Sequence, residues 1–557
     1  MSVTKSEIRS GAYYDSVVLM QLQRNLLQLP GVEDAGVVMA TPANLELLAE
    51  SQLLQAEGKA AKPEDLLIVV KAASGAKAQD ALAQVDELLK RRSGAATSSF
   101  RPRSLAGAVK ALPDADWVSI SVPGRYAAGV AREALEFGKH VFLYSDNVSV
   151  EDEIGLKQQA QQNGLLLMGP DCGTAIINGI GLGFANHVRQ GSIGLVAASG
   201  TGLQSVTSAI HNLGGGVSQA IGTGGRDLKE AIGAASTLQG LAYLAADPDT
   251  RVIVIISKPP DAAVAGKLLA AALGAGKPVV VCFLGFAAPA VRLNNLHFAS
   301  GLEHAARIAV DLSQQPARDS GSPSKAKPIS GYLRGLFSGG TLASELFLGL
   351  NLFLSPLFSN VAIRSEQKVN DAHKSQAHTI LDLGEDEFTV GRLHPMMDND
   401  LRIRRLKQEA ADPEVGLILL DVVLGEGAHP NPAAELAPAI AAARKARKEL
   451  EFVALLVGTD EDPQDIQKQE EALAKAGATV YRDITQTLEH VVGRLLGAAE
   501  VQKSPAPFAQ PLAVINIGVE GFYDSQSAQG AQTIHVEWRP PASGDEDLMA
   551  LLSKMRT

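Results

Sequence analysis

Short apolar runs alternate with stretches of helical periodicity along most of the 557 residues of this chain. The apolar runs, such as Leu66–Lys71 and Val252–Ile256, are rich in Val, Ile and Leu, as buried strands are. Between them, apolar residues recur at the three- to four-residue spacing of amphipathic helices. Strands that alternate with helices predict an α/β, multidomain protein built on largely parallel sheets.

One strand-to-helix turn is rich in glycine. It follows the apolar run that starts at Gly194 and precedes the helical pattern Leu203–His211. The first turn of a helix leaves backbone N–H groups unpaired and carries about half a positive charge, so such a turn can bind a phosphate or carboxylate. Any parallel sheet also uses similar turns simply as connections. This turn, here called the first cradle, consists of Ser199, Gly200, Thr201 and Gly202.

The same pattern returns after a Pro- and Ser-rich linker. Ile329–Leu342 repeats the strand, the glycine turn and the helix, and Ala410-Ala-Asp-Pro413 echoes Ala245-Ala-Asp-Pro248. A duplicated domain predicts two equivalent helix N-termini, and therefore two anion sites or one shared site. The second cradle consists of Ser338, Gly339, Gly340 and Thr341.

These patterns predict six segments. They are an N-terminal α+β domain (1–104), a Rossmann-like domain (105–190), the domain with the first cradle (191–312), a linker (313–328), the second copy (329–500) and a C-terminal extension with two strands (501–557). The apolar run Leu346–Phe358 is predicted to be a buried or subunit-facing helix, because it is shorter than the ~20 residues that span a bilayer.

The composition and charge of the chain argue against several kinds of binding partner and site. A net charge of −11 and a pI near 5.6 argue against nucleic acid or an anionic membrane as the partner. The two cysteines, Cys172 and Cys282, lie in no metal-binding spacing, so no metal site and no disulfide framework are predicted. With an N-terminus that lacks the apolar core of a signal peptide, these features predict a cytoplasmic protein.

Further candidate residues lie where predicted strands end, because parallel sheets bind ligands at the carboxyl ends of their strands. Asn147 and Asp171 follow strands of the Rossmann-like domain. A second glycine-rich turn supplies Gly224, Gly225 and Arg226. Cys172 is interpreted as a small buried residue, since no histidine base lies near it in the sequence.

The second copy adds two candidates outside its cradle. Arg392 could bind a carboxylate or phosphate through two hydrogen bonds from its guanidinium, or could be an ordinary surface charge. His394 could act as an acid or a base. In the N-terminal domain, Tyr13 and Tyr14 could bind a ligand or pack in an interface.

Gly169–Gly173, followed by Gly191–Gly202, resembles the alpha subunit of succinyl-CoA synthetase, and the second copy resembles the carboxyl half of its beta subunit. This resemblance implies a CoA-binding Rossmann domain and two flavodoxin-like ligase domains. Along its whole length the chain also resembles the FdrA family. The motifs of that resemblance are Tyr13–Ser16, Met39–Asn44, Phe142–Glu153, Gly224–Asp227, Ser338–Thr341, Gly391–Met396 and His535–Pro541.

The two resemblances imply different reactions. The synthetases carry a phosphorylated histidine after the strand that corresponds to Val252–Ile256, but Ile255–Gly285 contains no histidine, and His187 is expected to face solvent. The FdrA resemblance implies a subunit of oxamate carbamoyltransferase, which transfers a carbamoyl group between oxalurate plus phosphate and oxamate plus carbamoyl phosphate in anaerobic allantoin degradation.

That activity implies a hetero-oligomer with two other carbamoyltransferase subunits, with carbamoyl phosphate or phosphate as a substrate and no certain cofactor. In this interpretation the cradles hold the phosphate and the substrate carboxylate, while Arg226 or Arg392 neutralises developing charge. The alternatives are a CoA ligase, which would bind CoA, and a non-catalytic scaffold subunit.

Overall fold

The structure is a computed structural model that describes residues 2–10, 16–63, 65–90, 101–285, 292–316, 328–496 and 508–540. Tyr13, Tyr14 and most of the predicted linker lie outside these ranges. The chain divides into two units, which consist of residues 1–149 with 508–557 and of residues 150–507. Within the described ranges, no helix combines the length and hydropathy needed to cross a membrane.

The N-terminal part of the first unit has the predicted β-α-β-α-β-α order. Its strands form a three-stranded sheet in the order β1-β3-β2, and the central β3 is antiparallel to both neighbours. As expected, Thr41 caps a helix that begins at a proline, and its side chain accepts a hydrogen bond from the Asn44 N–H. The elements are β1 (Val3–Arg9), α1 (Ser16–Leu27), β2 (Val32–Met39), α2 (Pro42–Glu50), β3 (Leu66–Ala72), α3 (Gly75–Ala83) and α4 (Val85–Lys90).

The rest of the first unit contains a parallel sheet. Two of its strands lie within residues 117–143, and the other two come from the C-terminal segment. Its strands lie in the order β22-β21-β4-β5, with Val514 of β21 in register with Trp117 of β4. The C-terminal segment, predicted as an extension, therefore supplies half of these four strands. The elements are α5 (Leu105–Ala111), β4 (Trp117–Ile120), α6 (Gly124–Glu136), β5 (His140–Leu143), β21 (Ala513–Ile517), α18 (Glu520–Ala528) and β22 (Gln532–Val536).

The second unit begins with an eight-stranded sheet in the order β13-β14-β12-β11-β9-β10-β7-β8. The five strands from β14 to β10 are parallel, and their apolar residues are buried on both faces. The elements are α7 (Val150–Gln162), β6 (Leu167–Met168), β7 (Thr174–Ile177), β8 (Ile180–Gly183), β9 (Gln190–Ala197), α8 (Gly200–Asn212), β10 (Val217–Gly222), α9 (Ala235–Ala246), β11 (Val252–Ser257), α10 (Ala262–Leu273), β12 (Val279–Phe283), β13 (Arg292–Leu293), β14 (Leu296–Phe298) and α11 (Leu302–Gln314).

A six-stranded parallel sheet follows in the same unit, in the order β16-β17-β15-β18-β19-β20. The elements are β15 (Tyr332–Phe337), α12 (Gly340–Leu350), β16 (Leu357–Ser359), β17 (His378–Asp382), α13 (Asp386–Thr389), α14 (Asp400–Ala411), β18 (Val415–Val423), α15 (Pro432–Ala446), β19 (Glu451–Val457), α16 (Ile466–Lys475), β20 (Ala478–Tyr481) and α17 (Ile484–Leu495).

The two sheets of the second unit share one topology. The order β10-β9-β11-β12 in the first corresponds to β17-β15-β18-β19 in the second, with β9 and β15 each leading into a cradle. The internal duplication predicted from the sequence thus appears as a repeated strand order. The prediction of a single helix over Leu346–Phe358 is wrong, because α12 ends at Leu350 and Leu357 already belongs to β16. Pro356 lies between them and cannot donate a helical hydrogen bond.

Candidate functional site

The first cradle lies where β9 ends and α8 begins. Ser199 is the N-cap of α8, and its Oγ accepts a hydrogen bond from the Gly202 N–H at 3.2 Å. Ser199 and Gly200 are half-buried, and Thr201 is exposed. Among the described residues, no acceptor pairs with the N–H groups of Gly200 and Thr201. These two amides therefore face the position that an anion would take at a helix N-terminus.

Gly173, the last residue of the Gly169–Gly173 motif, lies against this turn together with Thr174, which the sequence analysis did not single out. A Cβ atom built on Gly200 would be 3.6 Å from Thr174 Oγ1 and 3.8 Å from Gly173 Cα. The Thr174 hydroxyl donates to the Phe184 carbonyl at 2.9 Å, which fixes its orientation. Because Gly173 and Thr174 belong to a different strand and turn from the cradle, only the folded sheet reveals them as neighbours.

The second glycine-rich turn packs against the same segment. A Cβ on Gly224, whose φ is +85°, would lie 2.2 Å from the Pro170 carbonyl oxygen, so only glycine fits there. A Cβ on Gly225 would lie 3.6 Å from Asp171 Oδ2. The structure therefore brings Asp171, Gly224 and Gly225 together, beside the Gly173–Thr174 segment that lines the first cradle.

Arg226 is held by a buried network of charges. Its guanidinium lies 2.9 Å from Glu153 Oε2, and Lys157 Nζ bridges Glu153 Oε1 at 2.8 Å and Asp227 Oδ1 at 2.6 Å. Lys157 Nζ also donates to the Thr223 carbonyl at 3.2 Å. Both ends of the turn are thereby fixed to α7. Arg226 is thus an ion-paired side chain, and its predicted role of neutralising developing charge stays a prediction.

Cys172 is a structural residue, as the sequence analysis favoured. Its thiol is buried and donates to the Thr174 carbonyl at 3.6 Å. Burial raises the pKa of this thiol to about 12, so the nucleophilic thiolate is not formed near neutral pH. His187 is exposed, as expected.

In the second cradle, the Asp421 side chain binds to Ser338 and Gly339, the two residues that precede α12. The Asp421 carboxylate accepts hydrogen bonds from the Ser338 N–H at 2.8 Å and the Gly339 N–H at 2.9 Å. The Ser338 hydroxyl lies 3.0 Å from both Asp421 oxygens. Arg402 forms an ion pair with the same carboxylate at 3.0 Å, and both side chains are buried. Asp421 thus pairs the two amides that precede α12, whereas the first-turn amides of Gly340 and Thr341 have no acceptor among the described residues.

His394 lies beside the second cradle, next to a second carboxylate. A Cβ on Gly384 would lie 2.7 Å from His394 Nε2, while the Gly384 N–H donates to Asp382 Oδ1 at 2.8 Å. A Cβ on Gly340 would lie 2.4 Å from Asp382 Oδ2. Burial raises the pKa of Asp382, and the nearby negative charges of Glu385 and Asp421 act in the same direction. This edge of the second sheet is therefore acidic.

Two further predicted residues are Arg392 and Asn147. Arg392 is exposed and forms no ion pair with the residues that the structure describes. Asn147 belongs to the first unit, on the exposed loop after β5, and has a left-handed φ of 53°. Across the described ranges, no group of three or more His, Cys, Asp or Glu side chains is arranged to hold a metal ion.

Two family models match parts of the chain. Residues 1–103 match the AllF heavy metal-associated domain, and residues 336–492 match the CoA-ligase domain. The first match does not imply a soft-metal site here, because residues 1–103 contain neither cysteine nor histidine. The second match covers the domain with the second cradle and supports the predicted ligase-type fold.

The chain is also similar to a named relative and to a solved structure. Subunit alpha 2 of the succinate–CoA ligase of Archaeoglobus fulgidus is 28% identical over 149 residues, which are 26% of this chain and half of that protein. The acetyl-CoA synthetase 1 of Ca. Korarchaeum cryptofilum covers 69% of this chain and 82% of its own at 16% identity, with a TM-score of 0.30 that is too low to carry residue correspondences.

The prediction that this chain is a transferase is wrong. The matched domain is a CoA-ligase domain and the curated relative is a succinate–CoA ligase subunit, and neither is a carbamoyltransferase. They give no support for carbamoyl phosphate as a substrate or for a role in allantoin degradation. The chain is instead similar to succinyl-CoA synthetase.

One relative matches almost end to end. The uncharacterized protein YahF of Escherichia coli K12 is 44% identical over 504 residues, which are 87% of this chain and 97% of YahF. The chain belongs to the same family as YahF.

Proposed function

We propose that this chain is a subunit of a CoA-ligase-type enzyme and carries out the last step of the ligation, in which an acyl phosphate bound at the first cradle reacts with CoA to give an acyl-CoA and phosphate. The observation that carries the proposal is the open N-terminus of α8, where the Gly200 and Thr201 amides have no partner among the described residues. The CoA-ligase domain match and the succinate–CoA ligase relative support this reaction class.

In this reaction the first cradle must stabilise the phosphate that leaves the acyl group. The CoA sulfur attacks the acyl carbon, the bond from that carbon to the phosphate oxygen breaks, and the electron pair leaves with the phosphate. Negative charge grows on the phosphate as the bond breaks, so fixed N–H donors and the positive end of α8 lower the barrier. The Thr201 hydroxyl, exposed on the first turn, can donate to the same phosphate.

The surrounding residues have distinct roles in this proposal. Arg226 is 42% exposed, and its ion pair with Glu153 holds its position, so we assign to its positive charge the attraction of the acyl phosphate. Asp171 is exposed beside Gly225, and a carboxylate would repel phosphate, so we assign to it the acceptance of the thiol proton. The roles predicted for Arg392 and His394 stay predictions, because this proposal assigns neither residue a function at the first cradle.

The first unit supplies a candidate site for CoA. Its parallel strand β4 leads into α6, and no side chain caps the N-terminus of this helix at Pro123. A Cβ on Gly124 would lie 2.1 Å from the Asp146 carbonyl oxygen, so the absent side chain lets the loop that carries Asn147 approach the helix. We propose that phosphate groups of CoA bind at this helix N-terminus.

The motifs that resemble the FdrA family extend along the whole chain and support a place in that family, with a CoA-ligase-type reaction in place of carbamoyl transfer. We propose a hetero-oligomer in which other subunits supply the acyl phosphate. A cytoplasmic location is part of the same proposal.

The experiment compares the wild-type chain with Thr201→Glu and Thr201→Gln, using acetyl phosphate and CoA and measuring thioester and released phosphate. A carboxylate placed about 4–5 Å from the bound phosphate should weaken its binding about 100-fold, because like charges repel strongly in a partly buried site. The glutamine variant has the shape of the glutamate variant without its charge, so it loses only the Thr201 hydroxyl and should weaken phosphate binding about tenfold or less. Equal activity in both variants would contradict the assignment of the first cradle.

A further inference from the structure

A cavity lies at the amino ends of β11, β12 and β14, in the domain with the first cradle, here called the first copy. Its volume is about 570 Å³, which is within the usual size of small-molecule sites. Arg251 precedes β11 and lines this cavity, whereas Ile256 lies beside the first cradle, and five positions of a strand span about 16 Å. The cavity, here called the amino-end cavity, is therefore separate from the first cradle.

Three cations, Arg251, Lys277 and Arg292, line the amino-end cavity. Arg251 Nη2 donates to the Gln315 carbonyl at 2.7 Å, and Arg292 Nε donates to the Asn294 carbonyl at 2.8 Å. These bonds hold both guanidinium groups in place, and no described carboxylate forms an ion pair with either of them. Lys277 Nζ donates to two carbonyls at the C-terminal end of α9. All three side chains therefore keep N–H donors for an external anion.

The other side chains of the cavity add little opposing charge. Among the described residues, one carboxylate lines it, that of Asp311, so three positive charges face a single negative charge. His297 also lines the cavity, and neither of its ring nitrogens has a hydrogen-bond partner in the described part of the chain. Burial lowers the pKa of His297 to about 4, and the positive charge of Arg292 acts in the same direction, so its ring is a neutral donor at neutral pH. An apolar wall is formed by Pro278, Ile308 and Leu312.

The second copy has a smaller cavity, of about 380 Å³, at the equivalent place. Aligning the two Ala-Ala-Asp-Pro segments matches Ile253 of β11 with Ile418 of β18. Their partners in the sheet, Val279 of β12 and Phe452 of β19, then correspond as well. The linings of the two cavities can therefore be compared residue by residue.

The cavity of the second copy contains its own ion pair. Arg494 Nε donates to the Glu451 carboxylate at 2.8 and 3.0 Å, and these hydrogen bonds raise the pKa of Arg494. Glu451 directly precedes Phe452, so its counterpart in the first copy is Pro278. The counterpart of Arg494 is Leu312. The cations of the first copy thus lack the internal carboxylate that the second copy supplies.

We propose that the amino-end cavity binds a small organic dianion, whose phosphate or carboxylate groups pair with Arg251, Lys277 and Arg292. Guanidinium and ammonium groups bind both kinds of oxyanion. Three cations opposed by one carboxylate match a ligand with two negative charges, and the apolar wall packs against the carbon frame that carries them. This site goes beyond the proposed function and does not depend on it.

Calorimetric titration of the full chain with phenyl phosphate and with phthalate tests the site. Slightly above neutral pH both probes are dianions on an aromatic ring, so the one that binds more tightly identifies the preferred kind of anionic group. Pro278→Glu introduces the carboxylate of the second copy and should weaken binding about tenfold or more. The matched variant Pro278→Gln has the same shape without the charge and should stay within about threefold of wild type.

A second pair of variants removes one cation from each cavity. Arg292 is exposed, so Arg292→Gln should fold, and it should weaken probe binding about tenfold because a charge-assisted contact is lost. Arg444→Gln removes a cation from the cavity of the second copy and should leave the affinity unchanged. This pair decides if Pro278→Glu does not fold.

The outcomes separate this site from the first cradle. Binding of neither probe to the wild type, or equal effects of the two members of either pair, would overturn the proposal. Thr201→Glu should leave binding in the amino-end cavity unchanged, because the first cradle lies at the other end of the sheet. Probe binding that Thr201→Glu abolishes belongs to the cradle, and if none remains the cavity site is wrong. Failure to form a thioester would contradict the proposed function alone.

Discussion

Replacing Lys157 with methionine is expected to destabilise the second unit by about 3–5 kcal/mol, the usual cost of removing one partner from a buried charge cluster. Lys157 is 1% exposed, and its ammonium lies within 2.8 Å of carboxylate oxygens of both Glu153 and Asp227. Without it, Glu153 keeps only the partly exposed Arg226, and Asp227 keeps only hydrogen bonds from Ser236 and Thr237.

This prediction has a matched control in the same unit. Lys229→Met removes an exposed ion pair with Asp261, in which the side chains are 60% and 40% exposed, and should cost about 1 kcal/mol or less. Both variants are compared by urea unfolding of the full chain. A loss for Lys157→Met no larger than that for Lys229→Met would show that the buried network does not hold the turn that carries Gly224 and Arg226.

Substituting Gly224 with alanine should cost on the order of 3 kcal/mol and also weaken phosphate binding. Gly224 is buried with a φ of +85°, and its added Cβ would lie 2.2 Å from the Pro170 carbonyl oxygen. The turn or the Gly169–Thr174 segment must then shift, and that segment lines the first cradle. The added Cβ of Gly224→Ala is thus the cause of both the backbone strain and the movement of the site.

The adjacent glycine provides the comparison. Gly225 is exposed, its φ is not in the left-handed region, and the nearest atom to its added Cβ would be Asp171 Oδ2 at 3.6 Å. Gly225→Ala should therefore change the unfolding free energy by about 0.5 kcal/mol or less. Thermal unfolding and phosphate titration of both variants check this contrast. Similar effects at the two positions would contradict the described packing of the turn.

The fold and the first cradle could be predicted because their signals are local. The alternation of Val-rich runs with helical periodicity identified the α/β class, and the repeated Ala-Ala-Asp-Pro segment identified the duplication. Ser199 was recognisable as a helix N-cap because the turn and the helix pattern are contiguous in the sequence. The burial of Cys172 likewise followed from its lack of a nearby base.

The contact of Asp421 with the Ser338 and Gly339 amides could not be predicted from the local sequence. Asp421 lies 83 positions after Ser338, and the two meet only because β15 and β18 are neighbours in the sheet. One signal was available, since aligning the repeated Ala-Ala-Asp-Pro segments places Asp421 opposite Ile256. A charged residue in the middle of an apolar strand requires a buried partner, and Arg402 in α14 is that partner.

Two other outcomes depended on long-range pairing in the same way. The pairing of Arg226 with Glu153 requires α7 to pack near the second glycine-rich turn, a distance of 73 positions along the chain. The strands of the C-terminal segment join β4, which precedes them by about 400 residues, so neither periodicity nor composition could place them.

The central claim is that the N-terminus of α8 binds an anion through the Gly200 and Thr201 amides. A crystal of the wild-type protein soaked in selenate tests this directly, because selenate has the shape of phosphate and its selenium can be located by anomalous scattering. We predict a peak within hydrogen-bonding distance of the Gly200 and Thr201 amides. An empty first cradle at saturating selenate would contradict the account.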